Sequence, residues 1–126
     1  MPRTFGLWAP VVLYMAGIFY LSSLSSVPAV PLLNDKAEHA IVYAGLAGVV
    51  VRALAGGVPA RVNWMTALVA LAITATFGAS DEFHQMFVWR RTADIWDVYA
   101  DAAGGSIGIA VCGAWGIISG LSRHDL

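Results

Sequence analysis

The chain is poor in charge, with 12% charged and 59% hydrophobic residues among 126. A soluble domain carries about 25% charged residues, so this composition predicts an integral membrane protein made of one domain, 1–126. The net charge of −1 gives no basis for nucleic-acid binding, and we expect no nucleic-acid partner. The one cysteine, Cys112, excludes a disulfide framework and a thiolate metal cage.

Several common enzyme motifs are also missing. The sequence has no glycine-rich phosphate loop, no nucleophile elbow and no zinc-protease helix. Ser80 precedes His84 by four residues, but no oxyanion-stabilising site accompanies it, which makes it a poor nucleophile. Any chemistry must therefore come from another arrangement of ionisable residues.

Long apolar segments are plentiful. They predict transmembrane helices at about 7–24, 37–55, 64–80 and 97–121, with the third able to continue through the polar residues that follow it. Serine and proline in 22–31, and glycine and proline in 56–59, indicate loops between them. The predicted fold is an all-α, four-helix membrane bundle.

The basic residues predict the orientation of this bundle. One side would carry four arginines and the other three basic residues, which lie among acidic residues that can hold them. Because cytoplasmic loops are rich in lysine and arginine, we expect both termini in the cytoplasm. The two sets are Arg3, Arg52, Arg61 and Arg123 on the cytoplasmic side, and Lys36, Arg90 and Arg91 on the outward side.

Seven of the eight acidic residues fall within 35–39 and 81–101, at the ends of apolar segments on the predicted outward side. Ionisable groups are costly in or beside lipid, and a membrane protein that concentrates them usually uses them. With three basic residues there, the local net charge is about −4, which favours a cation, shared protons or a cationic ligand group.

In the first cluster, Asp35, His39 and Tyr43 follow one another at four-residue spacing and share a helical face. Asn34 or Asp35 could cap the helix, and Asp35 with Glu38 resembles a capping box. Lys36 could extend to the interface. Capping explains neither His39 nor Tyr43, so we interpret His39 as functional.

In the second cluster, Asp81, His84 and Gln85 share a helical face, and Glu82 points elsewhere. Aspartate and histidine so spaced could bind one metal or relay one proton. Arg90 and Arg91 follow in a predicted loop, where a guanidinium suits phosphate or carboxylate. The alternative is a salt bridge to an aspartate, which we favour for Arg90.

A stripe with spacings of three and four residues runs along the fourth helix, from acidic residues to glycines. Since glycines allow close helix approach, this face and its acids should point into the bundle. Its members are Asp94, Asp97, Asp101, Gly104 and Gly108. Gly116 and Gly120 form a second pair that could serve a homo-oligomer contact.

These residues resemble the VanZ-like family of bacterial membrane proteins over about 8–120. The resemblance implies a small multi-pass protein of the bacterial plasma membrane and cell envelope, with a part in antibiotic resistance through reduced teicoplanin susceptibility. Its motif residues are Asp35, Lys36, His39, Tyr43, the run 80–88, Arg91, Asp94, Asp97, Asp101, Gly104 and Gly108. Trp89 and Arg90 replace the family's usual Pro-Gly, and Asp101 stands where asparagine is common.

Three functions fit these observations. The first is binding or modifying a lipid-linked precursor or glycopeptide at the outer leaflet. The second is a membrane-embedded hydrolase or transferase acting on lipid phosphates with a metal or acid–base pair, and the third is proton-coupled transport. The predicted catalytic residues are His39, Asp81, His84 and Asp97, of which His39, Asp81 and His84 are the candidate ligands of a divalent metal cofactor. The predicted ligand-binding residues are Asp35, Lys36, Tyr43, Glu82, Gln85, Arg91, Asp94 and Asp101.

Overall fold

A computed structural model describes the backbone of residues 2–24 and 34–124 and the side chains of 3–24 and 34–120. These residues form four α-helices and no strand: α1 (Pro2–Ser23), α2 (Asp35–Ala55), α3 (Trp64–Gln85) and α4 (Ile95–His124). The prediction of an all-α, four-helix fold is confirmed. Most of the predicted serine- and proline-rich first loop, and the Arg123 side chain, lie outside the described residues.

Each helix is long and apolar enough to cross a membrane. Large apolar side chains such as Leu13 and Val111 are exposed on the outside, while Thr74, Asp81 and Asp101 are buried. This is the distribution expected when lipid, and not water, surrounds the bundle.

The observed helix ends differ from the predicted ones at several points. α1 begins before residue 7. α3 continues through Asp81 and His84 to Gln85, the extension that the sequence allowed. Asn34 caps α2 by accepting a hydrogen bond from the Ala37 N–H, so Asp35 is not the cap and the predicted capping box with Glu38 is wrong. α4 starts at Ile95, so Asp94 precedes the helix on which we had predicted it.

The α2–α4 contact is the tightest in the fold. A Cβ atom on Gly104 would overlap the carbonyl of Ala40, and one on Gly108 the carbonyl of Ala44. Only glycine permits this approach, and the buried stripe that we predicted on α4 is confirmed from Asp97 to Gly108. We call this contact the glycine seam.

Gly116 also packs within the chain, since its Cβ would overlap the carbonyl of Ala60. This contact uses Gly116, one of the two glycines that we predicted could serve a homo-oligomer contact; the other is Gly120. Such an oligomer remains a prediction.

The two ends of the bundle differ in charge. At one end, the Arg3 guanidinium donates to the Gly56 carbonyl and the Arg52 guanidinium to the Gly6 carbonyl. At the other end lie Ser23, Asp35, Gln85 and Ile95, the ends of the four helices. We call this the acidic end, because both predicted clusters gather there.

Candidate functional site

The glycine seam sets the position of the buried acids on α4. Asp101 lies one turn and Asp97 two turns before Gly104 on the same face, so they meet the first turns of α2. There Asp101 Oδ1 lies 2.7 Å from His39 Nδ1, and Asp97 Oδ2 lies 3.7 Å from His39 Nε2. The seam therefore joins a residue of the first sequence cluster to two residues of the second.

Lys36, near the start of α2, connects α2 to the start of α4. Its ammonium donates to Asp94 Oδ2 at 2.8 Å and to Asp97 Oδ1. Asp94 also accepts a hydrogen bond from the Trp96 N–H and so caps α4. The Lys36 ammonium, with help from this N–H, lowers the pKa of Asp94 from its usual value. Lys36 and Asp94, which we predicted to bind ligand, thus bind each other.

The buried acids of α3 have different partners. Asp81 Oδ2 accepts a hydrogen bond of 2.7 Å from the Ser22 hydroxyl of α1. Glu82 points away from Asp81, as predicted, and its Oε2 accepts from the Asp94 N–H at 2.8 Å. One acid thus ties α3 to α1 and the other ties it to the loop before α4.

His84 lies against α1. Its ring stacks on Phe19 with centroids 4.2 Å apart, and its Nε2 lies 3.0 Å from the Ser23 hydroxyl. Asp81 and His84 therefore share a face, as predicted, but the residues on that face are the serines of α1. Neither sequence cluster indicated Ser22 or Ser23, because serines at the end of an apolar segment are also typical of a plain loop.

Arg91 closes the end of α1. Its Nε donates to the Leu24 carbonyl at 2.8 Å, and its Nη2 donates to the Leu21 carbonyl at 3.0 Å. Carbonyls at a helix C-terminus have no partner within the helix and carry partial negative charge, so a guanidinium stabilises them. These contacts give Arg91 a structural role, and our prediction that it also binds a ligand phosphate stays a prediction.

Arg90 does not form the salt bridge that we favoured, since among the described residues neither Asp94 nor Asp97 lies within 4.0 Å of it. Instead its guanidinium lies 4.2 Å above the Trp89 ring. Its backbone is left-handed, with φ of 67°. This is the position at which the resemblance predicted a turn without its usual glycine.

A cavity of about 290 Å³ opens between α1, α2 and α3 at the acidic end. Two of the residues that line it, Tyr43 and Asp81, each carry a buried polar atom that has no hydrogen-bond partner among the described residues, the Tyr43 hydroxyl and Asp81 Oδ1. Such atoms are costly unless water or a ligand bonds them. The lining residues are Ile18, Leu21, Ser22, Asp35, Glu38, His39, Val42, Tyr43, Asp81 and Arg91.

The predicted site residues thus divide into two sets that share His39. His39 lies in the network with Asp97, Asp101 and Lys36, and it also lines the cavity with Tyr43 and Asp81. His84 and Gln85 do not line the cavity. Asp35, His39 and Asp97 have ligand atoms within 4.8 Å of one another, a group that contains one of the three predicted metal ligands.

Four helices of membrane-spanning length, with ionisable side chains inside and apolar ones outside, define a multi-pass helical membrane protein. The chain belongs to the VanZ/LLP1 family, which matches residues 5–116 and so confirms the resemblance seen in the sequence. No curated protein and no solved structure matches the chain.

Proposed function

We propose that the protein lies in the plasma membrane of a bacterium and binds the head group of an amphiphilic ligand in the cavity at the acidic end. The ligand would be a lipid-linked cell-envelope precursor or an acylated glycopeptide of the teicoplanin type. Binding at the outer leaflet would lower susceptibility to such antibiotics. The observation that carries this proposal is that Tyr43 and Asp81, two residues that line an open cavity, each have a buried polar atom without a partner in the part of the chain that the structure describes.

The shape of the cavity supports an amphiphile. Ile18, Leu21 and Val42 supply apolar wall, while Tyr43 and Asp81 supply polar groups. Ligand sites of this kind hold the ligand by apolar surface and orient it by a few polar contacts. A lipid chain could remain in the bilayer while the head group enters between the helices.

The charges of the cavity favour an amino group on the ligand. Asp35, Glu38 and Asp81 contribute carboxyl groups to the lining. Arg91 also lines it, but its Nε and Nη2 already bond the end of α1. An ammonium group would donate to Asp81 Oδ1 and give it the partner it lacks.

The orientation supports the outer leaflet. Arg3, Arg52 and Arg61 all belong to the end of the bundle opposite the cavity. By the positive-inside rule, these arginines favour a cytoplasmic position for that end and an outward position for the cavity.

The test compares two neighbouring substitutions on α2. Val42→Phe fills the cavity without removing a polar group, whereas Ile41→Phe adds the same ring to a side chain that is 59% exposed on the outside. With the proteins in nanodiscs, we expect Val42→Phe to weaken teicoplanin or precursor binding at least about tenfold, and Ile41→Phe to leave it unchanged. Equal binding by the two variants would refute the proposal.

Cells extend the same comparison. We expect expression of the wild-type protein and of Ile41→Phe to raise the inhibitory concentration of teicoplanin, and Val42→Phe to have no effect. A glycopeptide without an acyl chain is the control, because it lacks the part that would remain in the bilayer.

A second candidate is a metal-dependent hydrolase or transferase acting on lipid phosphates. The group formed by Asp35, His39 and Asp97 favours it, because a metal there would be adjacent to the cavity. Release of phosphate from a lipid phosphate, dependent on added metal and abolished in His39→Gln, would support this candidate. If no phosphate is released under conditions where the ligand binds, the binding function stands alone.

A further inference from the structure

We propose that Asp35, His39 and Asp97 form a binding site for a divalent transition-metal ion. Each supplies one ligand atom, and the three atoms lie within 4.8 Å of one another. His39 Nε2 lies 3.9 Å from Asp35 Oδ1 and 3.7 Å from Asp97 Oδ2. Ligand atoms at about 2.1 Å from a tetrahedral metal are about 3.4 Å apart, so the three atoms would have to move closer together to coordinate an ion.

Asp101 gives independent support, because it orients His39 as metal ligands are oriented. Its Oδ1 lies 2.7 Å from Nδ1 of His39, and its side chain is 1% exposed. A carboxylate that accepts the Nδ1 proton leaves the lone pair of Nε2 directed at Asp35 and Asp97. Carboxylate–histidine–metal arrangements of this kind are the usual second shell of a histidine ligand.

Asp97 is the rigid member of the group. It is 5% exposed and lies on the helix face that the glycine seam holds against α2. Its Oδ1 bonds the Lys36 ammonium, and its Oδ2 faces His39 Nε2. A metal would use Oδ2 and leave the Lys36 contact in place.

An ion-pair network without a metal is the simpler alternative. It explains the contacts of Lys36 with Asp97 and of His39 with Asp101. It places the Nε2 of a protonated His39 between two carboxylate oxygens at 3.7 Å and 3.9 Å, within ion-pair distance of both but beyond hydrogen-bond distance, whereas a metal would bond all three atoms directly. With His39 neutral, the carboxylates of Asp35, Asp94, Asp97 and Asp101 against Lys36 leave a net charge of about −3, which stabilises a dication.

The ligand set indicates the class of metal and its role. One imidazole with two carboxylates suits zinc or manganese better than magnesium or calcium, which prefer oxygen ligands alone. Three protein ligands leave a coordination position open, as in catalytic sites. Because Asp35 and His39 line the cavity, that position would face it and accept water or an anionic oxygen.

The experiment measures zinc binding by calorimetry and metal content by mass spectrometry on the full chain in nanodiscs, without any amphiphile. We expect one zinc ion per chain in the wild-type protein. Asp35→Asn should bind at least about tenfold more weakly, and this variant should fold, because the Asp35 side chain is 65% exposed. His84→Ala is the matched control and should bind zinc normally, because His84 packs on Phe19 outside the group.

A visible spectrum of the cobalt-substituted protein reports on the metal ligands directly. We expect its absorption bands to change in Asp35→Asn and to stay the same in His84→Ala. The proposal is overturned if neither zinc nor manganese binds at one ion per chain, or if His84→Ala weakens binding as much as Asp35→Asn. The comparison of Val42→Phe with Ile41→Phe is made on metal-free protein. Failure of the proposed binding function can therefore be distinguished from failure of the proposed metal site.

Discussion

Helices α2 and α4 meet through backbone atoms, whereas α1 meets its neighbours at the acidic end through side chains. In the glycine seam, Gly104 and Gly108 rest on the carbonyls of Ala40 and Ala44, with no space for a methyl group. Two kinds of hydrogen bond hold the end of α1. Arg91 donates to the Leu24 carbonyl, and the Ser22 hydroxyl donates to Asp81. We call these side-chain contacts the α1 clamp.

The difference assigns distinct roles to the two regions. Packing of backbone on backbone resists small movements, because close-packed interiors do not deform gradually. Side-chain hydrogen bonds near the membrane surface can be exchanged for bonds to water or ligand. The seam therefore fixes His39, Asp97 and Asp101, while the clamp residues Ser22, Asp81 and Arg91 form part of the cavity wall.

The largest expected effect is in the seam. Gly104→Ala places a Cβ on the Ala40 carbonyl and must push the helices apart, at a cost of about 1–3 kcal/mol or more. Gly113→Ala on the same helix is the control, since a Cβ there meets no described residue within 4 Å. Unfolding in mixed micelles measures both. If the two variants unfold alike, the seam is not the rigid region.

Much of the seam could be predicted from the sequence because its spacing is regular. Asp97, Asp101, Gly104 and Gly108 recur at three and four residues, and this period alone indicates one helix face. Asp94 follows the same spacing but precedes α4, since its side chain caps the helix. Periodicity does not reveal where a helix begins.

The clamp could not be predicted, because its contacts join residues far apart in the sequence. Arg91 donates to carbonyls of α1, and carbonyls are present at every residue. Ser22 and Asp81 are 59 residues apart. The sequence indicated that Asp81 and His84 share a helix face, but only the fold shows that α1 lies on it.

The next effect tests the clamp. Arg91→Gln removes charged donors from the carbonyls of Leu21 and Leu24, with an expected cost of about 1–3 kcal/mol. Hydrogen exchange should increase in the last turns of α1 and remain unchanged at the seam. Arg90→Gln is the control, because the Arg90 side chain lies on Trp89 and outside the clamp. Faster exchange throughout the bundle would show that clamp and seam are not separate.

A smaller effect, of opposite sign, is expected in the loop that carries Arg91. Arg90 has φ of 67°, a conformation that costs a residue other than glycine about 1–2 kcal/mol. Arg90→Gly should relieve this strain and stabilise the protein by up to about 1 kcal/mol, after the greater freedom of glycine in the unfolded chain is subtracted. Trp89→Gly, outside the left-handed region, should destabilise it. A lower unfolding midpoint for Arg90→Gly would show that the loop is not strained.

The smallest effect is a pH dependence at the acidic end, where Lys36 connects α2 to the start of α4 beyond the glycines of the seam. The Lys36 ammonium lowers the pKa of Asp94, so the stability from this ion pair is present above the unfolded value of about 3.9 and is lost as the pH falls through the folded pKa below it. Asp94→Asn keeps an oxygen to cap α4 but removes the charge. The wild-type unfolding midpoint should therefore exceed that of Asp94→Asn at pH 6, and the difference should shrink on acidification. A difference that stays constant down to pH 3 would mean that Asp94 acts only as a cap. A shrinking one would show that charge helps to hold α2 and α4 together at the acidic end, in addition to the backbone contacts of Gly104 and Gly108.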